Sequence, residues 1–243
     1  MTTRAKIIPI GIPKGGTGKS TFCELLSVEA AHRGSKVLLI DCDSETENTT
    51  IFVENRAELN ETLAKEGKGG VPELDCISCG FDQESIVSDI LRTHAKDYDY
   101  IFIDNHPKAD RVFRRLCTIS DLLILPIEYT DKSFDTLPKV VSMLEDIDAS
   151  IKANDPNVPD DYQIPTLMVL NKVLTVRAKA IEEAKSLIKG FDERLLIAKT
   201  ILPSRTIYQQ TSRGLTVSDT LEHKKAALEV KALFTEIVKL LAE

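Results

Sequence analysis

The residues with the most capacity for chemistry lie together near the N-terminus: Lys14-Gly15-Gly16-Thr17-Gly18-Lys19-Ser20-Thr21, preceded by Ile12-Pro13. Gly15, Gly16 and Gly18 lack a Cβ, so the backbone there can take positive φ and approach a ligand closely. Successive N–H groups then converge as an anion nest, and the helix expected behind them adds the positive end of its dipole. Lys19 would place an ammonium between two phosphates. The Ser20 hydroxyl is of the type that ligates Mg²⁺. A glycine turn with a stray lysine would need no particular flanks. Here an apolar run, Ile7 to Gly11, comes before, and Phe22, Leu25, Leu26 and Ala30 follow near helical spacing. The stretch therefore reads as a phosphate-binding loop at a strand-to-helix turn.

Other polar residues stand at the ends of apolar runs. Lys36 to Ile40 runs into Asp41-Cys42-Asp43, and Tyr100 to Ile103 into Asp104. Leu122 to Pro126 leads to Glu128, and Pro165 to Leu170 to Asn171-Lys172. These runs lack alternation, as expected for parallel strands covered on both faces. Acids at the end of a buried strand are costly without partners or work. In an open α/β sheet the carboxyl edge is where ligands sit. Asp43 could alternatively cap a helix beginning near Glu45.

The remaining elements are read around these strands. Helices are expected from Ser20 to about Arg33, with Gly34 ending it, over residues 48–64, Glu84 to His94, Lys108 to Ile119, Ser133 to Asp146, Arg177 to Lys189 and His223 to Ala242. The last carries an apolar stripe through Ala226, Val230, Leu233, Phe234, Ile237, Val238 and Leu241. A third strand is expected over Leu74 to Cys79 and a last one within Leu195 to Leu202. Asp148 to Tyr162, with Pro156 and Pro159, reads as a long surface loop. The fold class is thus α/β: a doubly wound, mostly parallel sheet flanked by helices, with residues 1–243 forming one domain.

Net charge is −7, which argues against a highly basic nucleic-acid binder. The charge is uneven: residues 163–243 hold 13 Lys+Arg against 9 Asp+Glu, and residues 1–162 hold 18 against 29. A basic C-terminal third can still present a cationic face. Five scattered cysteines fit reduced thiols. Cys76 and Cys79 suggest a redox or metal pair, but on a strand they would face opposite sides. No apolar run reaches membrane-spanning length and no signal-peptide pattern opens the chain, so a cytoplasmic protein is expected. His32 and His94 fall near expected helix C-termini, where partial positive charge is favoured.

Lys-Gly-Gly-x-Gly-Lys-Ser resembles the deviant phosphate loop of the ParA/MinD family of nucleotide-switched ATPases. The resemblance implies a P-loop NTPase that uses ATP/ADP and Mg²⁺, with Lys14 reaching across a homodimer to the partner's nucleotide. It implies a catalytic set of Lys14, Lys19 and Asp43, with nucleotide held by Lys14, Gly15, Gly16, Thr17, Gly18, Lys19, Ser20 and Thr21. Asp43 would orient the attacking water or take its proton. Asp104 would hold a water on a metal carried by Ser20. Asn171 would read the adenine edge, with Pro203 and Arg205 in the adenine-side loop. The turn Ser212 to Val217 resembles that of plasmid- and chromosome-partition members. The chain departs from the family at Pro13, at Ser44-Glu45, where Pro-Gln is usual, and at Asn105-His106-Pro107.

The resemblance further implies a short partition-type ATPase without a helix-turn-helix domain. Such a protein binds DNA non-specifically, associates with the nucleoid, and hydrolyses ATP under a ParB-like or other adaptor. Candidate DNA contacts are Lys185, Lys189, Arg205, Arg213, Lys224 and Lys225; each can equally be a solvated helix charge. Arg111, Arg114 and Arg115 are open to the same two readings, and His106 is either solvated or near the γ-phosphate. A MinD-like membrane ATPase is the alternative, but it needs an amphipathic tail beyond the last core helix. A small-molecule synthetase would need an acceptor pocket, and an electron donor would need cluster cysteines.

Overall fold

The computed structural model describes residues 4–12, 14–43, 45–79, 83–106, 111–174, 178–191, 195–209 and 213–242. Pro13, Ser44, Pro107, Lys108, Arg177 and Ser212 lie outside the described residues. The strands are β1 (Lys6–Ile10), β2 (Val37–Asp41), β3 (Asp75–Ser78), β4 (Tyr100–Asp104), β5 (Leu123–Glu128), β6 (Thr166–Val173), β7 (Leu196–Ile197) and β8 (Leu202–Pro203). They form one sheet in the order β3-β2-β4-β1-β5-β6-β7, with β8 also pairing with β6. All described ladders are parallel.

The helices are α1 (Lys19–His32), α2 (Asn48–Lys65), α3 (Gln83–His94), α4 (Arg111–Ile119), α5 (Asp131–Phe134), α6 (Leu137–Asn154), α7 (Ala178–Phe191) and α8 (Lys224–Leu240). Successive strand residues point to opposite faces, and both faces are covered. Ile8, Ile10, Leu39, Phe102, Ile124, Leu167 and Val169 join the side chains of α1 and α8 in one cluster. Ile7, Leu38, Ile40, Ile101 and Ile103 pack on the other face with α3 and α4. Leu123, Leu125, Met168 and Leu170 do the same with α6 and α7. This two-sided cover explains the unbroken apolar runs.

Three expectations are corrected. The helix expected from Ser133 to Asp146 is two helices, broken at Asp135-Thr136 and restarting with Pro138 in the first turn of α6. Proline has no N–H to give to a preceding turn, but fits a helix start. The surface loop expected from Asp148 begins later, because α6 continues to Asn154. Asp148 is buried, and its Oδ1 accepts the Ile164 N–H at 3.0 Å on the way into β6. A residue that reads as loop polarity is here an internal tie. β6 also runs three residues further than expected, through Lys172, whose φ of 54° is left-handed.

Among the described residues, Arg56 is a charged group in the interior that periodicity does not mark. Arg56, in the middle of α2, is 1% exposed. Its Nη2 meets Asp219 Oδ1 at 2.8 Å, its Nη1 donates to Asp219 Oδ2 at 2.9 Å and the Gly214 carbonyl at 2.7 Å, and its Nε to the Pro72 carbonyl at 2.7 Å. Asp219 also meets His32 Nε2 at 2.9 Å and the Thr216 N–H at 2.8 Å. Burial alone would raise the Asp219 carboxyl, but the Arg56 guanidinium and these donors hold it below its ordinary value. Gly214 has φ 71°, and a Cβ there would lie 2.4 Å from the Arg56 backbone. Glycine lets the turn close on α2. Arg56→Ala removes the guanidinium from a buried carboxylate, leaving it His32 and the Thr216 donors, and should cost roughly 3–5 kcal/mol of unfolding free energy in denaturant titration. A loss comparable to an exposed pair would show the network to be incidental.

Candidate nucleotide site

The strand register assembles the site before any side chain is considered. Ile10 and Asp41 both pair with Asp104, and Glu128 pairs with Asn171. The ends of β1, β2, β4, β5 and β6 therefore meet at one edge. β1 passes through residues 11–18 into α1, whose N-cap is Gly18 at φ 95°. Gly16 is also left-handed, at φ 77°. Gly15 is not among the positive-φ glycines, so only two of the three expected positions use that freedom. No atom lies within 4 Å of where a Cβ at Gly15 would stand. At Gly18 a Cβ would stand 2.7 Å from Asn171 Nδ2, so this glycine is needed for both conformation and space.

A cleft of about 440 Å³ opens on this loop, lined by Gly15, Gly16, Gly18, Lys19, Ser20, Thr21, Asp43, Glu45, Thr46, Asn48 and Lys172. Clefts of similar size lie elsewhere, one of about 490 Å³ between α2 and β3 and one of about 580 Å³ beside α8. Volume does not choose among them. The cleft on the loop combines a helix N-terminus, two lysines, the hydroxyls of Ser20, Thr21 and Thr46 and the carboxylates of Asp43 and Glu45.

Lys19 is buried, and its Nζ donates to the Lys14 carbonyl at 3.1 Å. Burial pushes its ammonium pKa down, while Asp104 and Asp43 oppose the shift. Asp104 is 1% exposed. Burial pushes its carboxyl up to about 7, against the pull of the Ser20 and Thr49 hydroxyls and of the Lys19 charge. Its Oδ2 accepts the Thr49 hydroxyl at 2.8 Å, and its Oδ1 finds no hydrogen-bond partner among the described residues. A buried carboxylate oxygen left open beside a serine and a lysine fits a hydrated divalent cation, so Ser20 and Asp104 are chemically suited to hold Mg²⁺.

Asp43 is half-buried on the cleft wall. It does not cap α2, which begins at Asn48 behind Glu47. It closes only a short turn, Oδ1 accepting the Glu45 N–H at 3.3 Å. Asp41 holds the other side of Asp43, its Oδ1 taking the Asp43 N–H at 3.0 Å. Asn171 lies beneath the loop: its Nδ2 donates to the Thr17 carbonyl at 2.7 Å and its Oδ1 accepts the Lys172 N–H at 2.9 Å. Lys14 donates to Ser133 Oγ of its own chain at 2.8 Å.

Lys172 carried no role in the sequence reading, yet it lines the cleft, donating from Nζ to the Gly16 carbonyl and to Glu128 Oε1. Its left-handed backbone, at φ 54°, belongs to the fold and leaves no mark in the sequence. Asn105, directly after Asp104, is 1% exposed, and neither end of its amide has a partner among the described residues.

The adenine-side and basic candidates do not line this cleft. Pro203 sits on β8, paired with Val173. Arg205 is bidentate to Glu229, at 2.9 and 2.6 Å, and lines the cleft beside α8 together with Lys224 and Lys225. Lys189, Arg213, Lys224 and Lys225 are exposed. Lys185 reaches the Lys199 carbonyl at 3.4 Å and Glu182 at 3.7 Å. Arg111, Arg114 and Arg115 are exposed on α4, with Arg114 4.0 Å from Asp146. Cys79 contacts Cys42 at 3.7 Å while Cys76 contacts Thr50 at 3.8 Å, so the two thiols have separate partners.

Comparison with known proteins places the chain. The model of the family described as ATPase MipZ matches residues 6–150. A probable plasmid-partitioning protein ParA from Thermus thermophilus is 26% identical over 169 residues, covering 61% of this chain and 52% of that protein. The chain spans about half the length of most of the curated relatives it matches. Among solved structures, a Cyanothece McdA variant in complex with ATP superposes with TM-score 0.68 at 16% identity, covering 99% of this chain and 97% of that one. pNOB8 ParA bound to nonspecific DNA superposes with TM-score 0.62 at 20% identity, covering 98% and 99%. At these identities the two structures share the fold.

The Asp104 carboxyl gives a pH signature without nucleotide. Its pKa is raised in the folded protein, from 3.8 to about 7. The stability it contributes is therefore full below about pH 4 and lost as pH rises through about 7. Asp104→Asn should raise the melting temperature at about pH 8, with the gain vanishing toward about pH 4. A gain that grows on acidification would contradict the buried, raised carboxyl.

Proposed function

The chain belongs to the ATPase MipZ family, a ParA/MinD-type ATPase, and from that premise we propose that it is a nucleotide switch whose ATP-bound form dimerises and binds DNA without reading sequence. The observation that carries this reading is the cleft lined both by Lys19 and Ser20 at the start of α1 and by Asp43 just beyond β2. The loop N–H groups and Lys19 would hold the phosphates. Ser20, and Asp104 through water, would hold Mg²⁺, which when bound neutralises charge developing on the transferred phosphoryl group. Asp43 would orient the water that attacks the γ-phosphorus or take its proton, in line with the leaving β-phosphate oxygen.

Lys14 gives the switch its dimeric character. It now donates to Ser133 of its own chain; in the proposed dimer it would exchange that partner for the nucleotide of a second copy. Asn171, Pro203 and Arg205 are the proposed adenine-side residues. For Asn171 that role requires its amide to leave the Thr17 carbonyl or to use its second N–H.

The DNA reading draws support from the exposed Lys224 and Lys225 at the start of α8, with Arg213 and Lys189 as further candidates. It also draws on the ParA relative named above and on the DNA-bound ParA of the same fold. Arg205 and Lys185 are weaker contributors, since each is already engaged within the chain. Phosphate contacts of this kind carry no base information. Hydrolysis under a ParB-like or other adaptor would release the DNA and let the protein position plasmid, chromosome or other cargo on the nucleoid. Among the described residues no helix is long and apolar enough to cross a membrane.

Two experiments separate the parts of this reading. Light scattering with ATP should show Lys19→Ala without nucleotide binding, Lys14→Ala binding ATP as a monomer, and Asp43→Ala held as a dimer. A Lys14→Ala protein that dimerises normally would remove the sandwich. In DNA co-sedimentation with ATP at about 0.1 M salt, Lys224→Glu/Lys225→Glu should lose at least tenfold in affinity and flatten the salt slope by about 2. Unchanged binding would remove α8 from the interface, and recruitment to anionic liposomes in parallel would favour the membrane alternative.

A further inference from the structure

We propose that Thr49 is a positioning residue for the metal-holding carboxylate: its buried hydroxyl fixes one oxygen of Asp104 and leaves the other to face a metal-bound water. The inference rests on the nucleotide reading above and adds to it a residue outside the phosphate loop and outside both strand-end acids.

Thr49 is the second residue of α2 and is fully buried. Its hydroxyl donates to Asp104 Oδ2 at 2.8 Å. Asp104 Oδ1 is buried and has no hydrogen-bond partner among the described residues. A hydroxyl has one proton to give, so the bond selects which carboxylate oxygen is spent and which stays available. The next residue repeats the device. Thr50 donates its N–H and its hydroxyl to Asp41 Oδ2 at 2.9 and 3.0 Å, and Asp41 Oδ1 in turn holds the backbone of Asp43. The first turn of α2 thus holds both carboxylates that the β2–β4 register sets side by side.

A threonine that served only to satisfy a buried carboxylate would stabilise the protein and leave metal affinity alone. A positioning residue must change how tightly Mg²⁺ is held. The probe is a fluorescent ATP analogue, bound in EDTA and then against rising Mg²⁺. Wild type, Thr49→Val, Thr49→Ser and Asp104→Asn, alone and with Thr49→Val, are compared after thermal melts show them folded. Thr49→Val should raise the half-saturating Mg²⁺ about tenfold, the scale of a charge-assisted hydrogen bond, and leave affinity in EDTA unchanged. Thr49→Ser should restore the wild-type value, and Thr49→Val should add nothing in the Asp104→Asn background. If Thr49→Val does not fold, Thr49→Ala reads the same ratio. A wild-type Mg²⁺ response in Thr49→Val, a serine variant as impaired as valine, or an equal penalty without Asp104 would overturn the proposal. A wild-type protein that binds the analogue with no Mg²⁺ dependence would overturn the metal reading itself, and this inference with it.

Discussion

Two carboxylates buried side by side are the constraint from which the rest of the site follows. Asp41 and Asp104 are each 1% exposed and occupy paired positions at the ends of β2 and β4. Removed from water, such groups repel each other and demand donors or counter-charge. The donors come from α2: the Thr49 and Thr50 hydroxyls and the Thr50 N–H. The counter-charge comes from Lys19, whose ammonium pKa burial pushes down while Asp104 and Asp43 oppose the shift. Neither supply is sufficient, and Asp104 keeps a raised pKa and an open oxygen. A site left electrostatically incomplete suits the cation and phosphates proposed for it.

The same helix that answers this demand reaches away from it. One end of α2 holds the strand-end acids, and Arg56 in its middle closes on Asp219 and the Gly214 carbonyl. Arg213 adjoins that turn, and α8 with Lys224 and Lys225 begins shortly after it. α1 joins the frame through His32 on Asp219 and through Arg33, which sits 4.7 Å over the Phe234 ring and donates to the Lys231 carbonyl of α8. The loop proposed for phosphate and the surface proposed for DNA are therefore ends of one continuous, internally bonded frame.

Much of this was legible in the sequence because it depends on local rules. The phosphate loop needs glycines, a lysine and a hydroxyl at fixed spacing. The buried strands need only unbroken apolar runs ending in a polar residue. The missing parts depend on which helix passes over which strand end. Thr49 and Thr50 look like an ordinary helix start, and nothing in Asn48-Thr49-Thr50 says that two acids wait beneath. Nothing in the sequence around Arg56 marks its partner, which lies 163 residues away. Asp148 reads as loop polarity because α6 runs on past it and its partner, the Ile164 N–H, lies across the following loop. Lys172 hid behind Asn171, since a side chain that folds back onto Gly16 has no sequence signature. Gly15 shows the converse: a motif position whose freedom the turn does not use.

The most direct test of the central claim is hydrogen–deuterium exchange of the intact chain without nucleotide, with ADP and Mg²⁺, and with ATP and Mg²⁺. If the γ-phosphate is sensed by the carboxylate side of the cleft, ADP protects residues 14–21. ATP then adds protection over residues 41–50, through Asp43 and the first turn of α2. Equal protection by the two nucleotides, or protection by ATP confined to the phosphate loop, would contradict it: the chain would bind nucleotide without the switch attributed to its buried acids.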